Sequence, residues 1–168
     1  MTRPPRDPDP AFRVELAPAY PPPDRVVAAQ AEPAPPDAAD LALASTFEDE
    51  RDRSLDWFRA RITQSPIFGA ASCNRLVGVV GLRPHADAKQ RHKAMIWGMY
   101  VRREARQYGI GERLVDAAVA YASGHVEQLQ LAVVTENEAA RRLYAKAGFI
   151  EYGHQINALK HAGRATTT

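Results

Sequence analysis

The sequence predicts one mixed α/β domain, and three observations lead to this expectation. The chain has 168 residues, which is enough for one domain with a substantial core. Its 45% of hydrophobic and 25% of charged residues are typical of a soluble globular protein. Apolar runs typical of strands and helices follow one another in the order helices, then β-β-β, α, β, α, β.

Proline separates an N-terminal region from the rest of the chain. Eleven of the 13 prolines lie within residues 1–36. Because proline lacks an amide donor and restricts the residue before it, a long helix cannot run through this region. We expect residues 1–36 to be irregular or partly disordered, with a short edge strand over 12–16. The folded domain is expected to span residues 37–168.

A helix and three strands are expected in the first half of this domain. Residues 37–62 favour helix, with one buried face marked by Leu55, Phe58 and Ile62. The runs 65–71 and 75–82, joined by a turn, predict a hairpin. After a polar, basic loop, the apolar run 94–101 predicts a central strand that is covered on both faces.

The second half continues with two helices and two strands. An apolar stripe predicts a helix that ends at Gly124, with Ile110, Leu114, Ala118 and Tyr121 facing the core. The run 129–134 predicts a buried strand. A further helix ends at Gly148 and begins either with a capping box of Thr135 and Glu138 or with Asn137 as the direct cap. Residues 149–156 predict a last strand.

Two glycines lie between the strand 94–101 and the helix that follows. Arg106, Gly109 and Gly111 have the spacing R-x-x-G-x-G. The first amides of a helix lack intrahelical partners and carry the positive end of its dipole, so glycine at this point suits a pyrophosphate. The same pattern also fits a turn in which glycine serves packing alone. A dinucleotide fingerprint would need glycine at Leu114, and the Gly-Lys-Ser/Thr of a P-loop is absent.

The stretches MYVRREARQYGIGERLVDAAV (99–119) and LAVVTENEAARRLYAKAGFIEYG (131–153) resemble the two central motifs of the GNAT superfamily of N-acetyltransferases. The resemblance is clear over residues 68–152. It implies a GNAT-like fold with a central, mostly antiparallel sheet flanked by helices. It also implies an N-acetyltransferase that takes acetyl-CoA as co-substrate, without a metal, and transfers its acetyl group to a primary amine of a small molecule or protein.

The resemblance also implies which residues hold acetyl-CoA. The strand end would offer backbone to the pantetheine arm, the glycine turn would grip the pyrophosphate, and an asparagine would lie near the pantetheine or thioester end. These residues are Met99, Tyr100, Val101, Arg106, Gln107, Tyr108, Gly109, Ile110, Gly111, Glu112 and Asn137. Asn137 can serve as a simple helix cap as well.

Tyr144 is the catalytic residue that the resemblance implies. It would stand near the sulfur and donate a proton to the departing thiolate, because tyrosine is protonated at neutral pH with a pKa of about 10. The alternative is a half-buried aromatic on an amphipathic helix. Backbone amides of the central strand could stabilise the oxyanion.

No general base is evident for deprotonating the amine. Some family members carry a glutamate five residues before the asparagine, where this chain has Ala132. The candidates are Glu136, Glu138, His85 and His92, each of which is also explained as a solvated surface residue, and water could serve instead. The missing glutamate keeps a second hypothesis open, a non-catalytic acyl-CoA-binding regulatory module of the same fold.

The remaining expectations concern partners and location. The family's usual last strand is absent, so the sheet would expose an edge or borrow a strand from a second copy in a homodimer. A net charge of +2 and two short basic runs do not indicate nucleic acid as a partner. The histidines lack metal-ligand spacing, and Cys73 is the only cysteine. Without a membrane-length apolar run or a signal-peptide core, the chain is expected in the cytoplasm.

Overall fold

The computed structural model describes residues 13–16, 50–63, 65–72, 75–161 and 164–168. The elements along these residues are β1 (Arg13–Leu16), α1 (Leu55–Thr63), β2 (Ile67–Ser72), β3 (Arg75–Pro84), β4 (Lys93–Val101), a 3₁₀ turn (Arg103–Ala105), α2 (Ile110–Ser123), β5 (Gln128–Gln130), α3 (Glu138–Lys146), β6 (Leu159–His161) and β7 (Arg164–Thr166). This order confirms the mixed α/β class. Most of 1–36, the expected helix before residue 50 and the turn at 73–74 lie outside the described residues.

The described residues belong to two compact units. The first contains 13–16 and 65–131, and the second contains 50–63 and 132–168. No helix in the described part of the chain is long and apolar enough to cross a membrane.

The first unit is built on a five-stranded sheet in the order β1-β2-β3-β4-β5. Strands β1 to β4 pair antiparallel, and only β5 runs parallel to its neighbour β4. The expected hairpin of β2 and β3 is confirmed, and β1 is the expected edge strand. Its pairing with β2 makes Arg13–Leu16 part of the sheet although they lie within the proline-rich region.

Helix α2 covers one face of this sheet and forms the core with it. The expected stripe is buried at Ile110, Leu114 and Ala118, whereas Tyr121 is half-buried. Gly78 on β3 lets the helix approach closely, because a Cβ at this position would lie 3.0 Å from Cδ1 of Leu114. The largest fully buried side chains all belong to this layer: Leu82, Ile110, Leu114, Val80 and Val115.

Strand β4 contains a bulge that changes which residues face α2. Trp97 pairs with Gly81 and Tyr100 pairs with Val79, so Gly98 and Met99 together oppose one residue of β3. Gly98 has φ +61°, a conformation that favours glycine and is found in such bulges. The bulge shifts the alternation of faces along the strand by one residue.

The sequence predicted that both faces of β4 would be buried, and this prediction is wrong. Only Ala94 and Ile96 are buried; they lie before the bulge, on the same face of the sheet as Leu82, which is the face that α2 covers. The other residues of the strand, including all that follow the bulge, are half-exposed. Strand β5 is also shorter than expected, since it ends at Gln130 and residues 131–134 form no strand.

The second unit begins with α1 and continues with α3. The expected helix is confirmed over Leu55–Thr63, but its expected buried face is wrong because Leu55 and Ile62 are exposed. Helix α3 is capped directly by Asn137, whose Oδ1 accepts from the amide of Ala140 at 3.1 Å. It ends at Lys146, and Gly148, two residues further on, has φ +90°, as glycines that terminate helices often do.

The C-terminal part of this unit differs from the expectation. Residues 149–156 form no strand. A C-terminal hairpin, which was expected to be absent, is present and consists of β6 and β7. Leu159 pairs with Thr166, and His161 pairs with Arg164. Hydrophobic patterning missed these strands because three residues are too few to show an alternation.

We expect Leu114→Ala to lower the free energy of unfolding by about 2–5 kcal/mol, because a fully buried leucine is replaced and its cavity persists. Urea denaturation measures this change. Leu76→Ala is the matched control, since Leu76 is 56% exposed and its truncation should cost well under half as much. Equal losses in the two variants would contradict the described core.

Candidate functional site

Strands β4 and β5 are paired at three positions and then diverge. Strand β5 pairs with β4 only at Lys93, Ala94 and Met95. From Ile96 to Val101, β4 keeps β3 as its neighbour on one side, and the described sheet supplies no strand on the other. This open edge can accept an extended ligand in the manner of an added strand.

The direction of the backbone groups identifies which residues address the open edge. The amide of Arg102 donates to the Val77 carbonyl on β3 at 2.8 Å. The carbonyl oxygen of Tyr100 also faces β3, because a Cβ at Gly78 would lie 3.3 Å from it. Since successive residues of a strand direct these groups to opposite sides, Met99 and Val101 address the open edge and Tyr100 does not.

Arg106 attaches the following turn to the end of this strand. Its Nε donates to the Val101 carbonyl at 3.0 Å, and its guanidinium lies 5.9 Å from the centroid of the Tyr100 ring. Ala105, within the 3₁₀ turn, is buried. These contacts hold residues 103–106 against β4, so the chain reaches the glycine turn from a fixed position.

The glycine turn leaves the N-terminus of α2 exposed to solvent and without a side-chain cap. Gln107 has φ +69° and Gly109 has φ +74°, and residues 107–109 are all exposed. Gly109 is the N-cap of α2, and no side chain caps the helix. The first intrahelical bond runs from the amide of Arg113 to the Gly109 carbonyl at 3.1 Å, so the amides of Ile110 and Gly111 precede it. Such amides, with the helix dipole behind them, favour a bound anion.

The first unit thus brings together the predicted residues from Met99 to Glu112 on a single stretch of chain. Two of the candidate bases, His85 and His92, lie away from this stretch. His85 donates its amide to the Lys93 carbonyl, and His92 directly precedes Lys93. Because Met99 lies six positions after Lys93, both histidines lie roughly 20 Å along β4 from Met99. They are too far away to accept a proton there.

The other predicted residues belong to the second unit. Asn137 uses its amide oxygen as the cap of α3. Glu136 accepts from the Thr135 hydroxyl at 3.0 Å, and Glu138 pairs with Arg142 at 2.9 Å, both on the exposed surface. They have the solvated environment that the alternative interpretation expected.

Tyr144 is the only buried residue of α3. It is 8% exposed, and its ring meets that of Phe149 edge-on with centroids 5.9 Å apart. Burial raises the pKa of Tyr144 from 10.0 to about 12 because desolvation disfavours the phenolate. Among the described residues, none hydrogen-bonds its hydroxyl.

Gly98 is a site residue that the sequence reasoning missed. Its bulge lies immediately before Met99 and sets the side of the strand that each following residue faces. The available signal was a glycine within an otherwise apolar strand pattern, which often marks a bulge. Nothing in the pattern indicates how far β5 would follow β4.

Comparisons with known proteins identify the family. A sequence model of the acetyltransferase (GNAT) family matches residues 29–149. No curated protein sequence matches the chain. An acetyltransferase of the GNAT family from Streptococcus pneumoniae superposes with a TM-score of 0.67 at 20% identity, covering 75% of this chain and 78% of that one.

Two further solved structures share the fold. One is a ribosomal-protein-alanine N-acetyltransferase from Brucella melitensis, with a TM-score of 0.61 at 25% identity over 67% of this chain and 70% of that one. The other is a putative acetyltransferase from Salmonella typhimurium with its cofactor acetyl-CoA, with a TM-score of 0.64 at 18% identity over 75% and 74%. Because the family match spans well over half of the sequence, this chain belongs to the GNAT acetyltransferase family.

Proposed function

We propose that this chain is an acetyl-CoA-dependent N-acetyltransferase that acts on a primary amine by direct attack. One observation carries the proposal: the open edge of β4 leads within a few residues into the uncapped start of α2. An extended amide-containing arm and a pyrophosphate, both parts of acetyl-CoA, match these two features in the same order. Family membership supports the same co-substrate.

The residues from Met99 to Glu112 divide this task. Met99 and Val101 hydrogen-bond the pantetheine arm through their backbone, while residues 107–112 hold the pyrophosphate with the first amides of α2. Arg106 acts as a brace between the strand and the turn, as its contact with Val101 indicates. In the second unit, we assign Asn137 to the pantetheine or thioester end on the family resemblance.

Tyr144 assists the departure of the CoA thiolate. Its raised pKa keeps the hydroxyl protonated throughout the neutral range. The hydroxyl donates to the sulfur as the negative charge develops there. A backbone amide at the bulge of β4, that of Met99, stabilises the oxyanion formed when the amine attacks the carbonyl.

Water removes the proton from the attacking amine in this proposal. Ala132 occupies the position of the glutamate found in some family members, and alanine cannot accept a proton. The distance along β4 excludes His85 and His92 from the vicinity of Met99. The rate should therefore follow the fraction of free amine as the pH rises.

The acceptor is an amino group of a small molecule or of a protein. The Brucella melitensis structure carries the name of an enzyme for ribosomal protein alanine, which makes a protein N-terminus one acceptor to test. A panel of small amines and peptides with free N-termini, monitored by release of free thiol, compares the two classes directly.

A non-catalytic acyl-CoA-binding module is the second candidate, and Ala132 is the observation that favours it. Such a module would bind acetyl-CoA but turn over no amine in the panel. Turnover that is lost in Tyr144→Phe would exclude this candidate.

We expect acetyl-CoA to raise the melting temperature of the wild-type chain by roughly 5–10 °C at about 100 times its dissociation constant. Gly111→Glu should abolish this shift because a carboxylate at the start of α2 repels the pyrophosphate. Ala120→Glu, which adds the same charge at an exposed position of the same helix, should keep it. If Gly111→Glu responds like the wild type in thermal unfolding, the pyrophosphate does not bind here.

We expect Tyr144→Phe to lower kcat by about 100-fold with an unchanged dissociation constant for acetyl-CoA, because it removes only the proton donor. Steady-state kinetics and calorimetric titration measure the two quantities. Tyr152→Phe serves as the control, since Tyr152 is 77% exposed and should retain full activity. An unchanged kcat in Tyr144→Phe would remove this residue from the mechanism.

The stability of the chain should depend on the ionisation of Tyr144 at high pH. Its folded-state pKa of about 12 exceeds the unfolded value of 10.0, so its contribution is complete below pH 10.0 and is lost as the pH rises to about 12. Over this range the wild type should lose about 2–3 kcal/mol more than Tyr144→Phe in urea denaturation. Parallel stability curves for the two proteins between these pH values would contradict the burial of Tyr144.

A further inference from the structure

The hairpin of β3 and β4 carries a concentration of positive charge around its turn. Residues 83–93, here called the basic hairpin end, contain the carboxylate of Asp87 and four cations, which are Arg83, Lys89, Arg91 and Lys93. The first three cations are exposed, and the fourth is half-exposed. Among the described residues none of the four forms an ion pair, and their only side-chain hydrogen bond runs from Arg83 to the sulfur of Met95 at 3.8 Å.

This end of the hairpin accounts for the net charge of the whole chain. The residue before β5 adds one carboxylate, that of Glu127, whose amide donates to the His92 carbonyl at 2.9 Å. Four cations against the carboxylates of Asp87 and Glu127 leave a charge of +2 with the histidines neutral, which equals the formal net charge of the chain. The remaining charges therefore cancel on balance, and an anionic partner is attracted to the basic hairpin end.

Backbone hydrogen bonds hold the basic hairpin end in place. Three of them close it internally, with the carbonyls of Lys93, Asp87 and Gln90 accepting at 3.1, 2.8 and 2.8 Å. The His92 carbonyl also accepts from two amides at the start of β5, at 2.9 and 3.1 Å. The cations therefore project from a fixed backbone, and a partner that binds them does not have to order the loop first.

The composition of the basic hairpin end favours an acidic peptide over other polyanions. Residues 85–93 contain no Phe, Tyr or Trp that could stack on nucleic acid bases. They also contain no apolar side chain larger than alanine that could enter a bilayer. A long nucleic acid or a membrane would extend beyond this end over surface that is neutral on balance, whereas three or four acidic residues of a peptide match the four cations.

The basic hairpin end lies at a defined distance from the predicted position of the thioester. Lys93 begins β4, and Met99 follows six positions later, about 20 Å along the strand. An extended peptide spans at most about 3.6 Å per residue, so it needs about six residues to connect these two points. A peptide whose amino group lies at Met99 would thus bring residues about six to ten positions further on to the cations.

We propose that the basic hairpin end is a docking site for an acidic segment of a protein acceptor, whose free N-terminus is acetylated. Acidic residues about six to ten positions after this terminus pair with the cations, including Lys89 and Arg91, while the terminus reaches Met99. Because single exposed ion pairs contribute little, the docking depends on several pairs that form together. The acceptor role rests on the N-acetyltransferase activity proposed above, whereas the binding of acidic peptides does not.

Fluorescence anisotropy tests the docking. The probe is a lysine-free peptide of about 12 residues with a free N-terminus, glutamate at positions 8–10 and a fluorophore at its C-terminus. The matched peptide has glutamine at the same three positions. The wild type should bind the glutamate peptide about tenfold more tightly at about 0.1 M salt. The preference should fall below about twofold at about 1 M salt, because the Debye length shrinks from about 10 to about 3 Å.

Charge reversal shows whether the basic hairpin end carries this preference. The double variant Lys89→Glu, Arg91→Glu should lose it, because the glutamate side chains then meet like charges. The matched control Arg75→Glu, Lys160→Glu reverses two exposed charges outside residues 83–93 and should keep it. A wild type without the preference, or a double variant that retains it, overturns the proposal. A single-stranded oligonucleotide that binds the wild type more tightly than the glutamate peptide, and is lost in the double variant, also overturns it in favour of nucleic acid.

Steady-state kinetics test the acceptor role. The glutamate peptide should have a KM about tenfold lower than the glutamine peptide at equal kcat, because the pairs lie far from the reacting atoms and act equally in ground and transition state. Moving the glutamates to positions 2–4 should remove the advantage, since four residues span at most about 14 Å. Equal KM values for the two placements would overturn the acceptor role. Absence of turnover with every peptide and amine would overturn the proposed activity instead, and anisotropy would still decide whether acidic peptides dock.

Discussion

The open side of β4 is the constraint on which the rest of the site depends. Strand β4 keeps β3 as its partner along its whole length but has β5 beside only its first three residues. Backbone amides and carbonyls require partners, and those of Met99, with the amide of Val101, face a side where the described sheet offers none, whereas the Val101 carbonyl accepts from Arg106. A half-paired strand in the interior of a sheet is thus a ready position for a ligand that brings its own amides.

The bulge and the glycine turn determine which backbone groups of β4 face outward and where the start of α2 points. Gly98 shifts the alternation by one residue, so the groups that face outward after the bulge differ from those that an unbroken strand would present. Arg106 then holds the turn to the last residue of the strand, and the positive φ angles of Gln107 and Gly109 aim the start of α2 into solvent. The open edge of β4 and the exposed start of α2 therefore lie within 14 consecutive residues, 99–112.

The motif and the cap could be predicted from the sequence because both depend on local rules. Two glycines before an amphipathic helix, and an asparagine three residues before the amide that it caps, need no knowledge of distant contacts. The separation of β5 from β4 could not be predicted, since apolar residues 131–134 have the composition of a strand whether or not a partner lies beside them. His85 and His92 were retained as candidate bases for a similar reason. Their closeness to β4 in sequence hides the length of the strand between them and Met99.

Residues 149–156 show, in the same way, that composition alone does not determine where a strand forms. Their alternation predicts a strand, and the single chain shows none. A strand is defined by pairing as much as by composition, because its backbone groups are satisfied only across a ladder.

The raised pKa of Tyr144 limits what this residue can contribute. A thiolate derived from a thiol of pKa about 8.5 is a much weaker base than a phenolate of pKa about 12, so full proton transfer from Tyr144 to the sulfur is uphill by roughly 5 kcal/mol. General acids are most effective when their pKa lies near the operating pH. In the proposed mechanism, Tyr144 would therefore act mainly as a hydrogen-bond donor that stabilises the developing negative charge, and the thiolate would take its final proton from water. This explains why its removal should cost only about 100-fold, at the lower end of the range for acid catalysis.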